Sequence, residues 1–310
     1  MTRERGVPRN APALSRQYVK LCDLREFDEP LRERIGSILP GLAPGTEVHR
    51  KHWEYALLTL FLEDVGRLDE QTEVLSVGAG HEEVLYWLAN RVRRIVATDI
   101  YGEGEFAGQE AVASMLTDPG AFAPYPYRED RLDVRSMDAR ELDFPDASFD
   151  VVFSLSSIEH FGSSVDIATA ARELGRVLRP GGYAFVVTEC FVERHPRNSR
   201  LLQTAIRLAT LGRRAKGATP RKRMLGVFTP GELQRHIVRP SGLELVQPLD
   251  RSLSPEAWDN VQRWVGDHYE PAGGAPCPHV MLDAGSGAPW TSVALVMRKS
   301  WARCDRAEPT

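Results

Sequence analysis

Cysteine, long apolar runs and net charge are all scarce in this chain. Its four cysteines, Cys22, Cys190, Cys277 and Cys304, are scattered through 310 residues with no C-x-x-C pair and no histidine at zinc-ligand spacing, so neither a disulfide framework nor a metal site is expected. No apolar stretch approaches the roughly 18 residues of a membrane-spanning helix, and the charged residues 1–5 lead into no apolar leader. A formal charge of −4 supplies no bulk attraction for nucleic acid. What remains is an ordinary soluble composition, 42% hydrophobic and 26% charged, long enough to bury a core without cross-links. A cytoplasmic protein without a transmembrane segment is expected.

What the sequence does contain is alternation. Short β-branched runs near 73–77, 94–98, 132–136, 149–155, 182–189, 243–248 and 291–298 alternate with helical patterns near 81–90, 107–117, 164–178 and 230–239. Repeated βα units of this kind predict a Rossmann-like, doubly wound α/β fold with a mostly parallel seven-stranded sheet and helical insertions. Ahead of the first strand, Trp53, Ala56, Leu57, Leu60, Phe61 and Val65 recur at helical spacing, which predicts a lead-in helix within 47–70 capping a pocket. Residues 1–46 read as an N-terminal arm, 71–190 as the ligand-binding core and 191–228 as a basic helical insertion or lid. The core continues through 229–250, a second insertion occupies 251–290, and 291–310 hold the last strand and tail. In the second insertion, Ser254-Pro255-Glu256 opens a helix whose face carries Trp258, Val261, Trp264 and Val265. Pro180-Gly181-Gly182 reads as a helix stop.

The run Val74-Leu75-Ser76-Val77-Gly78-Ala79-Gly80 ends a strand in a glycine turn, with a helix starting near His81. That geometry sets backbone amides and a ligand at the carboxyl edge of a parallel sheet. A dinucleotide site needs G-x-G-x-x-G, but the sixth position here is Glu83, preceded by Glu82. Two carboxylates at a helix start repel a pyrophosphate, which disfavours NAD and FAD. S-adenosylmethionine carries no phosphate and tolerates them, and Glu82 is a candidate for holding its ammonium. About twenty residues on, Val96-Ala97-Thr98-Asp99 closes the second strand; Asp99, with Ile100 beside it, is placed to accept from both ribose hydroxyls. A solvated strand-end aspartate is the alternative.

Further along stands Asp138-Ala139-Arg140-Glu141-Leu142-Asp143-Phe144-Pro145-Asp146-Ala147-Ser148-Phe149-Asp150-Val151-Val152, then Arg172-Glu173-Leu174-Gly175-Arg176-Val177-Leu178-Arg179-Pro180-Gly181-Gly182 and Phe228-Thr229-Pro230-Gly231-Glu232-Leu233. In this order the motifs resemble those of class I S-adenosylmethionine-dependent methyltransferases, in particular the type 11-like group, over roughly 70–190. The resemblance implies S-adenosyl-L-methionine as cofactor, held by Gly78, Ala79 and Gly80. It also implies that Asp138 accepts from the adenine amino group, Ala139 places an amide near the ring, and Ser154 and Leu155 border the transferred methyl. The chain departs from the group at Ser76, where an acidic residue is usual, and at Glu82, where a third glycine falls.

Methyl transfer requires an aligned acceptor and, for a hydroxyl, removal of its proton. His160, in Ser157-Ile158-Glu159-His160-Phe161, is the candidate base, and Glu159 would orient its imidazole or contact the substrate; a pocket-shaping role for the pair stays open. His52, His81, His236, His268 and His279 show no partner in the sequence. Lys51-His52-Trp53-Glu54-Tyr55 resembles the lead-in helix of bacterial methyltransferases of glycans and natural products, with Trp53 and Tyr55 as apolar walls, or Trp53 as core, and Glu54 as a hydrogen-bond acceptor for a polyhydroxylated acceptor. The arginine-rich stretch 194–223 suits phosphate or an anionic surface, or is a solvated helix and loop. It has no aromatic platform, and the chain lacks the Pro-Pro-Tyr signature of amino-methylating DNA enzymes, so nucleic acid is not the expected partner. The expected reaction is methylation of a small polar acceptor, a hydroxyl of a sugar or secondary metabolite, by a chain that forms a homodimer or acts alone. Methylation of nitrogen or carbon, or a non-catalytic binding role, are the alternatives.

Overall fold

The computed structural model describes residues 13–42, 49–192, 226–265, 268–271, 280–283 and 289–301. The described residues begin with β1 (Lys20–Leu21) and α1 (Glu29–Ile38). Asp28 caps α1 by accepting from the Leu31 amide at 3.0 Å, and Leu31, Ile35 and Ile38 form the buried stripe. The stretch 1–46, expected as an arm, thus contributes a strand at Lys20–Leu21 and a packed helix at Glu29–Ile38.

α2 (Arg50–Asp64) is the lead-in helix. Next in the chain come β2 (Glu73–Val77), α3 (Glu83–Ala89), β3 (Arg94–Asp99), β4 (Leu132–Ser136), β5 (Phe149–Leu155), α4 (Ser164–Val177) and β6 (Leu178–Phe191). β7 (Val227–Phe228), β8 (Glu244–Leu245), β9 (Val261–Val265), β10 (His268–Pro271), β11 (Met281–Asp283) and β12 (Trp290–Arg298) complete the strands. They form one sheet in the order β10-β9-β11-β12-β6-β5-β2-β3-β4, with β1 and β8 also on β12 and β7 on β6. From β6 to β4 every pairing on this path is parallel, and β12 returns antiparallel to β6 from Trp290↔Phe191 to Arg298↔Tyr183. The seven expected strands are present as β2, β3, β4, β5, β6, β8 and β12, and among the described residues β1 from the N-terminal stretch and β7, β9, β10 and β11 from the insertions widen the sheet to twelve.

Successive side chains on a strand point to opposite faces. Val151, Phe153 and Leu155 of β5, with Tyr183, Phe185 and Val187 of β6, pack toward α2 and α3. Val152, Ala184 and Val186 pack toward α4. Both faces are buried, which is why these strands read as unbroken apolar runs.

Three expected elements differ. At 107–117 there is no α-helix but the 3-10 turns Ala113–Leu116 and Pro119–Phe122, because Gly102 and Gly104 sit at positive φ and Pro119 interrupts the pattern. α4 ends at Val177, three residues before Pro180, because Leu178 is already extended and pairs with Phe149. In the second insertion the helix Pro255–Asp259, capped by Ser254, stops at Asn260, and the run 261–265 forms β9 between β10 and β11. The helix after Thr229 runs through a π turn, Gln234–Val238, into Arg239–Ser241, where Pro240 has no amide to donate. The basic stretch 194–223 and His279 lie outside the described residues.

α4 lies so close to Arg239–Ser241 that a Cβ on Gly175 would fall 1.9 Å from the Ser241 carbonyl oxygen. Gly175→Ala is expected to destabilise by about 3 kcal/mol. Gly36→Ala in α1, with nothing within 4 Å, is expected to stabilise by about 0.5–1 kcal/mol through helix propensity. Urea denaturation of the two variants checks both signs.

Candidate active site

The carboxyl ends of β2, β3 and β5 meet at a cavity of about 700 Å³, within the size range of small-molecule sites. Gly78 (φ +68°) and Gly80 (φ +49°) make the turn out of β2. A Cβ on Gly78 would lie 2.6 Å from Ser157 Cβ, so only glycine fits. The amides of Gly78 and Ala79 both donate to the Thr98 carbonyl, at 2.8 and 3.0 Å, and the Gly80 amide donates to Asp99 Oδ2 at 2.9 Å. The turn has thus spent the amides a pyrophosphate would need, which adds a second reason for disfavouring a dinucleotide.

Asp99 stands at the tip of β3 with its carboxylate on the cavity, accepting from Gly80 and, at 2.8 Å, from Ile100. Burial raises its pKa against these two amides. Ile100 lines the cavity and is 39% exposed, an apolar surface left uncovered at the mouth. Asp138 and Ala139 line the opposite rim. The Asp138 carboxylate accepts from the Arg140 amide at 2.8 Å and pairs with its guanidinium, which lowers its pKa.

Glu82 also lines the cavity, but not as a free carboxylate. It is ion-paired with Lys51 of α2. Lys51 Nζ further donates to the Leu155 carbonyl at 2.8 Å and lies 3.5 Å from Glu54 Oε2. Burial pushes Glu82 up to about 7 in spite of the lysine. Against the lowering effect of burial, Glu82 and Glu54 hold the Lys51 ammonium above its ordinary pKa. One oxygen of each carboxylate, Glu54 Oε2 and Glu82 Oε2, is buried without a hydrogen-bond partner. Among the lining residues, carboxylates outnumber Lys and Arg eight to three, a balance that favours a cationic ligand.

Ser154 and Leu155 do not line the cavity. β5 ends at Leu155 as expected, but both residues are buried within it, and it is Ser156 and Ser157, just past its end, that face the space. His160 lines the cavity with its ring edge-on to Phe106, centroids 4.8 Å apart. Burial lowers its pKa against the pull of Glu189, Glu105 and Glu110. Glu159 is turned away from the cavity: its Oε2 accepts from Thr188 Oγ1 at 2.8 Å, because the turn Ile158–His160 sends neighbouring side chains in opposite directions. Trp53 is core, whereas Tyr55 lines the cavity and donates to Glu83 at 3.1 Å. His52 accepts from the His49 amide at 3.3 Å as part of the α2 cap, and His81 Nδ1 lies 2.8 Å from the Glu110 carbonyl oxygen.

Glu54, expected as an acceptor for a polyhydroxylated substrate, lines the cavity but is buried, with Oε1 already taken by two serine hydroxyls. Lys51 and the acidic loop Glu103, Glu105, Phe106 and Glu110 are among the lining residues not singled out by sequence; for Lys51 a signal existed in its i, i+3 spacing to Glu54 on one helix face. Among the described residues no three His, Cys, Asp or Glu side chains could jointly hold a metal, and no helix is long and apolar enough to cross a membrane.

Burial raises the Glu159 pKa to about 8, assisted by the charges of Glu189 and Glu54. The folded chain therefore keeps this proton where the unfolded chain has lost it, and the associated stability is lost as pH rises from about 4.5 through about 8. Urea denaturation of Glu159→Gln should show a smaller loss of stability between pH 5 and pH 8 than the parent chain shows.

The family model described as Methyltransferase domain matches residues 75–186. A Mycolicibacterium smegmatis protein named a probable S-adenosylmethionine-dependent methyltransferase is 28% identical over 232 residues, 71% of this chain and 78% of that one. The 27-O-demethylrifamycin SV methyltransferase of Amycolatopsis mediterranei is 28% identical over 224 residues, 71% of each chain. Among solved structures, the YcgJ protein of Bacillus subtilis is similar at 17% identity over 81% of this chain and 99% of that one, with a TM-score of 0.44. The glycine turn, the carboxylate at the tip of β3 and the acidic cavity suit S-adenosylmethionine, and they fall in the segment matched by the family model: the chain carries a methyltransferase domain and is similar to S-adenosylmethionine-dependent methyltransferases.

Proposed function

We propose that the chain methylates a hydroxyl of a small polar acceptor, a sugar or a secondary metabolite, with His160 as general base. The observation that carries this reading is that the His160 imidazole opens into the same cavity as Asp99 and the glycine turn. The rifamycin relative, whose name gives an O-demethylated compound as the molecule methylated, supports an oxygen acceptor.

Asp99 would accept from the ribose hydroxyls, since a carboxylate already taking two amides keeps lone pairs for two more donors. Ile100 and Ala139 would cover the adenine, and Asp138 would accept from its amino group. Near Gly78, Lys51 would take the cofactor's carboxylate and Glu82, released from the lysine, its ammonium. When bound, S-adenosylmethionine supplies an electrophilic methyl carbon on a sulfonium. His160 would hold the acceptor hydroxyl toward that carbon and would take its proton as the oxygen is methylated. The depressed pKa keeps the imidazole neutral, and so able to act, at pH 7. A nitrogen acceptor is the second reading, favoured by Glu103, Glu105 and Glu110 at the cavity mouth, which attract an ammonium.

Calorimetry is expected to detect binding of S-adenosylmethionine and none of NAD. Asp99→Ala should weaken binding roughly 10- to 100-fold, the worth of charge-assisted hydrogen bonds of about 1.5–3 kcal/mol. No binding, or an unchanged affinity in Asp99→Ala, would sink the cofactor assignments. An acceptor screen that follows S-adenosylhomocysteine release should find turnover flat above pH 6.5 and falling on the acid side as His160 gains a proton. Persistence of that acid limb in His160→Gln would remove the base.

A further inference from the structure

Glu54 is 1% exposed, on a helix whose other buried side chains are, Thr59 aside, apolar or aromatic. A carboxylate removed from water is costly unless its partners hold it. Its partners come from two distant strands: Oε1 accepts from Ser156 Oγ and from Ser292 Oγ of β12, each at 2.8 Å. Ser156 is the first residue after β5 and has φ +50°, a left-handed conformation that costs a non-glycine residue of order 1–3 kcal/mol. Strain of this kind persists only where the surroundings over-determine it. Here they do: the Ser156 amide donates to the Val187 carbonyl at 2.9 Å, its hydroxyl is held by Glu54, and the preceding carbonyl, Leu155, receives Lys51 Nζ at 2.8 Å. One turn of α2 thus grips the end of β5 at two consecutive residues.

Immediately beyond this grip the chain forms the wall of the site. Ser157 Oγ donates to the Gly78 carbonyl at 2.7 Å, and the turn Ile158–His160 then carries the imidazole into the cavity. We propose that Glu54 is a positioning residue for methyl transfer: acting through Ser156, it fixes the left-handed bend that sets His160 and Ser157 against the glycine turn. The role rests on reading the β5 loop as the side from which the acceptor meets the methyl group. It explains why a carboxylate is buried at this point of the helix, where a leucine would pack at no desolvation cost.

The test is an NMR titration of the His160 imidazole, with amide exchange of residues 156–161, in the unliganded full chain. Reading it without ligand makes the result independent of whether S-adenosylmethionine binds. Around the imidazole, Glu105, Glu110, Glu189 and Phe106 are identical in every variant, so a shift reports the loop. Ser156→Gly removes the hydroxyl and meets no left-handed strain, so it folds even if Ser156→Ala does not. Both should move the His160 midpoint toward its ordinary value by about 0.3 pH units or more, as the ring loses its burial, and accelerate exchange over 156–161 about tenfold. Glu54→Gln keeps an amide oxygen for both serines and should match the parent. An unshifted midpoint and unchanged exchange in Ser156→Gly would overturn the proposal, as would a Glu54→Gln shift equal to that of Ser156→Gly.

Discussion

Ser157 of the β5 loop and Gly78 of the β2 turn approach so closely that no Cβ fits between them. Two adjacent parallel strands end at the same height, and their exits have to pass one another. The β2 exit yields its side chain, and the β5 exit accepts a left-handed residue. Because the two tips touch, a ligand crossing the glycine turn lies against the loop that carries His160. The same contact turns the Gly78 and Ala79 amides back onto the Thr98 carbonyl. A fold shared with phosphate-binding proteins is thereby made unsuited to phosphate, with the carboxylate of Asp99 left as the polar feature facing outward.

The second constraint is charge. Lys51, Glu54 and Glu82 are drawn from two helices into one cluster with one more negative than positive group. Such a cluster is expensive in isolation, because each ion loses its hydration. Glu54 Oε2 and Glu82 Oε2 are buried without hydrogen-bond partners, on two residues that line the cavity. On the proposed reading, a zwitterionic, cationic cofactor would bring both an anion for the lysine and a cation for the carboxylates, so the free and the loaded site would differ in which ions pair.

Much of this was legible in the residues, and the reasons are specific. β2, β3 and β5 are buried on both faces and read as apolar runs; Gly78 and Asp99 are dictated by the geometry of a strand end; Asp138 came from a motif resemblance. Legibility failed where placement depends on residues far apart in the chain. The end of β5 at Leu155 was legible, but Ser154 and Leu155 are enclosed by packing, and it is the turn beyond the strand, held by Glu54 and Gly78, that brings Ser156 and Ser157 to the cavity. Glu159 and His160 are neighbours whose opposite directions come from a single 3-10 turn. Glu54 meets Ser156 across 102 positions, and no local pattern encodes that. β9 in place of a longer helix reflects partners in β10 and β11 that outweigh an amphipathic pattern.

β12 has one edge committed to β6 over its whole length, while its other edge is divided among β11, β1 and β8, which come from three separate parts of the chain. In the order of synthesis this strand is the last of the sheet. Until it emerges, Lys20 and Leu21 have no strand beside them and β8 has no ladder, so the first and last strands described can join only at the end. During translation the parallel half from β2 to β6 is free to assemble as a half-sheet whose β6 edge waits for β12, and the hydroxyl of Ser292, which arrives with β12, adds the last partner of the Glu54 carboxylate. Completion of the site is thereby tied to closure of the whole sheet.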